Sequence, residues 1–537
     1  MAEVGTSPES AAAGHAPAAA GARKLVIVGF MCAGKSRLGR LAAQRLGWRL
    51  ADSDKLLEER FGEPIASFFA REGEQAFRDR EQELVLELLA APGPAIVPLG
   101  GGAVERRAVR DALAGHDVVH VEVGLEVAWE RAHDSGRPLA RDRERFAQLH
   151  AARRPLYESV AGVVLADGAE KTPAFVDALR RGSGGTRMVW SAQGYPVWVG
   201  AGVLDAAADL LPDHGRNFVV ADENVLQLHG ERIAGLAPAA TLTVPSGEQH
   251  KTMAQAERLL RELAGAGMQR SDTIVAIGGG VVGDLGGFCA ATYQRGVAIA
   301  HVPTTVVAQV DSAYGGKTGV DLPEGKNYVG AFHQPAAVLT DPTVLGTLPT
   351  QELAAGFAEI VKTALIAGGG MWEEVRGWPP LRDVVESDLV TMTRVIEACA
   401  RTKLSVVAVD ERDTGFRAAL NLGHTFAHAL ESATGYGRWR HGDAVGLGLL
   451  VALRVSERVT GLDPAVRDDV ARLLERQGLP RTFEGPPVAE LLDHMARDKK
   501  RRGAQRNLVL LRSPGDVAVE SEADEAALVE AIEELRA

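Results

Sequence analysis

Twice along the chain an apolar, strand-like run passes straight into a glycine-rich turn and then into a helical run. The first is LVIV followed by GFMCAGKS, over 25–36; the second is TIVAIGGGVVGDLGG, over 273–287. A short unbroken apolar run has no polar face, so it suits a strand covered on both sides. Parallel strands are covered in this way, because the return to a parallel neighbour takes a helix. The fold class expected is therefore α/β, built twice. The first strand–helix pattern starts at 24–29 and ends near 181, and RGSGGTR at 181–187 reads as a flexible joint. A new strand-like run starts at Met188, and βα patterns continue to about Leu345. After Gln351 the apolar residues recur at helical spacing over 351–367, 386–409, 416–433 and 442–460. The organisation expected is a disordered tail at 1–22, an α/β domain at 23–180, a linker at 181–187, a second α/β domain at 188–350 and an all-α domain at 351–537.

Composition sets the remaining bounds. At about 150 residues per domain, 537 residues make three or four folding units. Three cysteines cannot staple such a chain, and a net charge of −12 argues against nucleic acid as the partner. No apolar run is long enough to cross a membrane, and the Ala/Gly/Pro/Ser-rich start lacks the apolar core of a signal peptide, so the cytoplasm is the expected compartment. Only eleven of the 59 cationic residues are lysines. In a chain that otherwise uses arginine, each lysine marks a place where a compact ammonium suits better than a guanidinium fork. After residue 184 they are Lys251, Lys317, Lys326, Lys362, Lys403, Lys499 and Lys500, and each lies inside a motif.

The stretch Gly29–Ser36 matches G-x-x-x-x-G-K-[ST] between a strand and a helix. Backbone N–H groups of such a loop cradle nucleotide phosphates, with Lys35 reaching the β- and γ-phosphates and the Ser36 hydroxyl binding Mg²⁺. Asp52 and Asp54 suit a hydrated metal and a substrate hydroxyl, and Arg78 suits a carboxylate. Gly100–Gly102 lets ligand approach bare backbone, and Arg137 and Arg153 add cations. The ordered set GxxxxGKS, DxD, GExxFR, GGG, RPL and RxPLY resembles shikimate kinase over about 23–180. The resemblance implies ATP at Cys32, Ala33, Gly34, Lys35, Ser36 and Arg37, with Arg137 as a lid arginine. It implies Mg²⁺ at Ser36 and Asp52, catalysis by Asp54 with Lys35, and shikimate at Asp54, Arg78, Gly101 and Arg153. Arg37 stands where most members carry Thr, and Pro98 precedes the glycines as a second departure.

In the second half, SGEQHK at 246–251 and the glycine loop look like nucleotide sites. Glycine–lysine segments at 315–318 and 325–327 suit a phosphorylated, hydroxylated ligand. Glu359 lies in a helical run, His424 and His428 share a helical face at i and i+4, and His441 follows. One carboxylate and two imidazoles describe a catalytic zinc site, and spacing alone admits both His424 and His428 as ligands. The motifs SGEQ-x-K, GGGVVGDLGGF, PTT, VDS, GGKTG, GKN-x-x-GAF-x-QP, AGFAE-x-VK, LN-x-GHT-x-x-HA and HGDAV resemble 3-dehydroquinate synthase over about 188–537. The fold implied is a Rossmann-like α/β nucleotide-binding domain followed by a helical metal-binding domain. The resemblance makes Glu359, His424 and His441 the ligands of Zn²⁺ or Co²⁺, with His428 instead in the substrate pocket. It places NAD at Ser246, Gly247, Glu248, Gln249, His250, Lys251, Gly280, Val281, Val282, Gly283, Asp284, Thr304, Thr305, Asp311, Lys317, Lys326, Val344, Leu345, Gly346 and Thr347. It implies catalytic roles for Lys317, Lys362, Lys403 and His428, and substrate contacts for Asn327, Arg417, Asn421, Lys499 and Lys500. Arg295 is expected to bind substrate by reaching a neighbouring subunit's phosphate site, which implies a homodimer. Ala313-Tyr314, Asp413 and Phe426-Ala427 depart from the family's usual residues.

The implied activity is bifunctional: phosphorylation of shikimate by ATP, and conversion of 3-deoxy-D-arabino-heptulosonate 7-phosphate to 3-dehydroquinate and phosphate. The residues alone also admit another sugar-phosphate cyclase or a polyol dehydrogenase in the second half. For the first half they admit another small-molecule kinase or a non-catalytic nucleotide module.

Overall fold

A computed structural model describes residues 24–133, 138–140, 142–169, 171–181, 186–212, 215–413, 415–435, 437–501, 508–520 and 525–537. The chain divides into two compact units, Met1–Ala161 and Gly162–Ala537.

In the first unit, strands β1 (Leu25–Val28), β2 (Arg49–Leu50), β3 (Ala95–Pro98) and β4 (Asp117–Val121) form a parallel sheet in the order β2-β3-β1-β4. All four residues of β1 are buried, as the apolar run requires of a central strand. Ile27 pairs with Pro98 on one side and Val119 on the other, so the carboxyl ends of the strands line up. The turn after β1, Asp52 after β2 and the glycines after β3 therefore leave the sheet along one edge, where α/β sheets bind ligands. The helix Ile65–Ala90 breaks at Gly73, whose φ is 84° and ψ 172°, and Arg78 lies on the segment after the break.

The second unit contains β5 (Val163–Leu165), β6 (Arg187–Trp190), β7 (Pro196–Val199), β8 (Asn217–Asp222), β9 (Ala240–Val244), β10 (Thr273–Gly278), β11 (Ala298–Pro303), β12 (Lys317–Leu322), β13 (Gly325–Phe332) and β14 (Ala337–Thr340). Its sheet runs β5-β6-β7-β14-β11-β10-β8-β9, parallel except between β6 and β7. Strands β12 and β13 pair as a separate antiparallel ribbon. The helical part follows, with helices Thr350–Ala367, Leu389–Val409, His424–Ala433, His441–Val459, Pro464–Arg476, Val488–Arg501 and Glu525–Leu535. It also carries a hairpin of β15 (Leu508–Ser513) and β16 (Asp516–Glu520).

Two expected helices are split. The run expected over 386–409 starts instead at Leu389, because the Asp388 side chain caps it by accepting from Thr391 N–H at 3.0 Å. The run expected over 416–433 is a 3₁₀ turn, Phe416–Asn421, then a helix from His424, because Gly423 turns left-handed at φ 79°. Helix Thr350–Ala367 is buried from Leu353 to Ile366, so it forms the centre around which the others pack. Helix His441–Val459 comes very close to it. A Cβ on Gly442 would lie 1.9 Å from the Ala355 carbonyl oxygen, so only glycine permits this approach.

Two candidate active sites

In the first unit the turn after β1 delivers Gly34, Lys35 and Ser36 to the amino end of helix Lys35–Leu46, where N–H groups point outward and favour an anion. Cys32, Ala33 and Arg37 flank it; Cys32 takes a left-handed φ of 61° and Arg37 is exposed. The Lys35 ammonium donates to the Gly29 and Phe30 carbonyls at 2.9 and 3.0 Å, folding over the loop. The Ser36 hydroxyl donates to Asp52 Oδ2 at 2.7 Å, so the two expected Mg²⁺ ligands are adjacent. Asp54 Oδ1 lies 2.7 Å from where a Gly100 Cβ would be, and a Cβ on Gly102 would strike the Arg78 guanidinium at 2.2 Å, so the bare glycines make room for both groups. Arg137 lies outside the described residues.

Arg78 and Arg153 are brought together by a residue the motifs did not mark. Glu105 Oε1 accepts from Arg153 Nε at 2.9 Å, and its Oε2 stands 3.7 Å from Arg78 Nε. Both arginines are buried, whereas a third of the Glu105 side chain is exposed. Arg78 also donates to Glu81 at 2.6 Å. Burial pushes the Glu81 carboxyl up, and Arg78 only partly restrains the shift. The Tyr157 hydroxyl donates to the Gly101 carbonyl. Arg153 Nη2 is buried with no hydrogen bond among the described residues, which leaves a donor for a ligand carboxylate.

In the second unit the Glu359 Oε1, His424 Nε2 and His441 Nε2 atoms converge. Glu359 Oε1 is 3.3 Å from His424 Nε2 and 3.4 Å from His441 Nε2, and one ligand atom from each residue lies within 4.8 Å of the others. A tetrahedral centre with bonds of about 2.0–2.1 Å spaces its ligand atoms about 3.3–3.4 Å apart, so the donor set fits Zn²⁺ or Co²⁺. Burial disfavours positive charge at the His441 ring, but the Glu359 and Glu431 carboxylates on either side of it outweigh that and favour it. His428 stays outside the cluster, its ring centroid 5.6 Å from that of His424.

Two lysines flank the cluster through Glu359 and Asp311. Lys362 donates to Asp311 Oδ2 at 3.0 Å and lies 2.5 Å from Glu359. Lys403 donates to the Asp311 carbonyl at 2.9 Å and to its carboxylate. Burial alone would raise the Asp311 pKa, but the two ammonium groups hold it far below the usual range. Lys317 pairs with Asp413 at 2.5 Å. Arg417 donates to the Glu411 and Gly315 carbonyls at 2.6 and 3.2 Å, beside the half-buried Asn421.

The expected nucleotide loops meet around Lys251, which contacts Glu248 at 3.1 Å, Asp284 at 3.2 Å and Asn327 at 2.9 Å. Burial pushes Asp284 up to about 6 against the pull of Lys251. Ser246 donates to Asp222 at 2.7 Å, and Gly247, Gln249 and His250 complete that loop. Gly280, Val281, Val282 and Gly283 open helix Gly280–Thr292, directly after β10. Thr304 and Thr305 follow β11, and Val344, Leu345, Gly346 and Thr347 end a 3₁₀ turn, with the Thr347 hydroxyl 3.1 Å from His229. Lys326 lies 3.8 Å from Glu248 and 3.7 Å from Glu431. Arg295 is exposed, with φ 67°. Lys499 and Lys500 lie on helix Val488–Arg501, with their side chains outside the described part.

Fold and sites thus define an α/β unit with a nucleotide-phosphate loop, followed by an α/β unit whose helical part carries a metal-binding cluster. Family models agree in position: shikimate kinase matches 31–181, 3-dehydroquinate synthase N-terminal matches 241–355, and 3-dehydroquinate synthase C-terminal matches 356–501. The chain belongs to the 3-dehydroquinate synthase family and carries a shikimate kinase domain before it. It is 45% identical over 355 residues to a 3-dehydroquinate synthase of Halorhodospira halophila, covering 63% of this chain and 96% of that one. It is 44% identical to that of Azotobacter vinelandii, covering 60% and 90%. Among solved structures it resembles ValA, a 2-epi-5-epi-valiolone synthase from Streptomyces hygroscopicus subsp. jinggangensis 5008 solved with NAD⁺ and Zn²⁺. That match has a TM-score of 0.58, 26% identity, and covers 64% of this chain and 96% of that one.

Proposed function

We propose that the chain phosphorylates shikimate with ATP in its first unit. In its second unit we propose that it converts 3-deoxy-D-arabino-heptulosonate 7-phosphate to 3-dehydroquinate and phosphate. The observation that carries the reading is the convergence of Glu359, His424 and His441 beside Asp311, Lys362 and Lys403. Zinc on the three ligands and NAD along 246–251, 280–284 and 304–305 supply, when bound, polarisation of a hydroxyl and a reversible hydride acceptor. The chain's own side chains do the rest. Lys362 and Lys403 are buried ammonium groups that meet the anionic substrate as point charges. Asp311 keeps both in place and stays ionised. Asn327, Arg417, Asn421, His428 and Lys317 orient the substrate's hydroxyl and phosphate groups.

In the first unit, ATP and Mg²⁺ suit the loop amides, Lys35, Ser36 and Asp52, while Arg78 and Arg153 take the shikimate carboxylate. Asp54, next to Gly100, receives the proton of the reacting hydroxyl. We further place the chain in the cytoplasm, as a homodimer through the second unit. Phosphate release from the heptulosonate phosphate with no net NADH tests the synthase reading. Stoichiometric NADH without phosphate would instead make the second unit a dehydrogenase.

A further inference from the structure

We propose that Glu431 is a positioning residue for the metal site: it fixes the His441 ring so that Nε2 faces Glu359 and His424. This rests on the reading of those three residues as metal ligands. Glu431 Oε2 lies 3.5 Å from His441 Nδ1. An ionised carboxylate can only accept, so Nδ1 carries the proton and the lone pair is left on Nε2. At His424 the same result is reached differently, because its Nδ1 lies 3.2 Å from the Leu422 carbonyl, which also only accepts.

The two rings differ in how firmly they are held. His424 is buried behind the turn at Gly423. The His441 side chain is 38% exposed at the start of its helix, so packing alone does not fix its orientation. Glu431 is suited to do so. It is buried, and it follows His424 and His428 on one helical face at i+7. Its other oxygen faces Lys326 at 3.7 Å, and Lys326 faces Glu248 at 3.8 Å. That ammonium is a second cationic neighbour for the carboxylate, on the side away from His441 Nδ1. Since Glu431 approaches the ring nitrogen on the side away from Glu359, it acts through His441 and is not itself a ligand.

The test uses the full chain, stripped of metal and titrated with Zn²⁺ against a chromogenic chelator. Glu431→Ala weakens zinc about a hundredfold and Glu431→Gln, which can still accept from Nδ1, about tenfold. The Co²⁺-loaded Glu431→Gln protein also shows an altered visible ligand-field spectrum, which a purely structural role would not produce. The melting curve of the metal-free Gln variant stays that of the parent. Wild-type zinc affinity and an unchanged Co²⁺ spectrum in Glu431→Gln and Glu431→Ala overturn the proposal, given that His441→Ala has lost zinc. Zinc retained by His441→Ala overturns the ligand reading beneath it.

Discussion

Gly442→Ala puts the architecture of the metal site to a strict test. The new methyl carbon would lie 1.9 Å from the Ala355 carbonyl oxygen and 2.3 Å from its carbonyl carbon. Both clashing groups are backbone on the Ala355 side, so no rotamer relieves the overlap. Restoring an ordinary contact of about 3.2–3.4 Å moves helix His441–Val459 by roughly 1.3 Å against helix Thr350–Ala367. The first helix begins with His441 and the second holds Glu359, whose ligand atoms stand 3.4 Å apart. A shift of that size carries them beyond the reach of one ion with bonds of about 2.1 Å. Zinc affinity then falls by about a hundredfold or more, the loss expected when a ligand no longer engages, and overpacking costs about 1–3 kcal/mol of stability. The assay is chelator competition beside urea unfolding, with Gly370→Ala as control. A Cβ at Gly370 meets nothing within 4 Å, so that variant keeps zinc and is neutral or slightly stabilised. Gly442→Ala binding zinc within threefold of the parent refutes the reasoning.

Two further outcomes follow from one carboxylate and one histidine outside the motifs. Glu105 occupies the Nε edges of Arg78 and Arg153, the two arginines proposed to take the substrate carboxylate, so it would repel that carboxylate by roughly 1 kcal/mol after solvent screening. Glu105→Gln therefore lowers the KM for shikimate about fivefold with little change in KM for ATP; an unchanged or higher KM for shikimate contradicts this. His301 is 6% exposed, and burial, aided by His333, pulls its pKa down to about 4. The unfolded chain then binds more protons between about pH 6.5 and 4, so this contribution is present above 6.5 and lost as pH falls. It amounts to about 2 kcal/mol between pH 7.5 and 5. The second unit's urea midpoint drops over that range, and His301→Gln flattens the drop; an equal slope in both proteins contradicts the assignment.

Much of this was legible because the chemistry is local in sequence. The glycine turns lie where apolar strands end, and parallel pairing puts those ends at one edge. The scarce lysines proved informative for the same reason: Lys251, Lys317, Lys362 and Lys403 each meet a carboxylate around the second site. Spacing left His424 and His428 equivalent; the resemblance favoured His424, and the structure brings His424, not His428, together with Glu359 and His441. Glu105 and Gly442 were illegible because their roles depend on distant partners, Arg153 and Ala355. Glu431 could have been found, since it extends the i, i+4 pair to i+7 on one face. Helix ends at Asp388 and Gly423 escaped apolar periodicity because capping and a left-handed turn, not hydrophobicity, decide them.

The most direct measurement is a paired assay of the purified full chain, following phosphate release from 3-deoxy-D-arabino-heptulosonate 7-phosphate and ADP formation with shikimate. The parent performs both reactions. Arg78→Ala loses only shikimate-dependent ADP formation, and His441→Ala loses only phosphate release, together with its zinc. Loss of both activities from either single substitution, or absence of one activity from the metal- and NAD-loaded parent, contradicts two independent active sites on one chain.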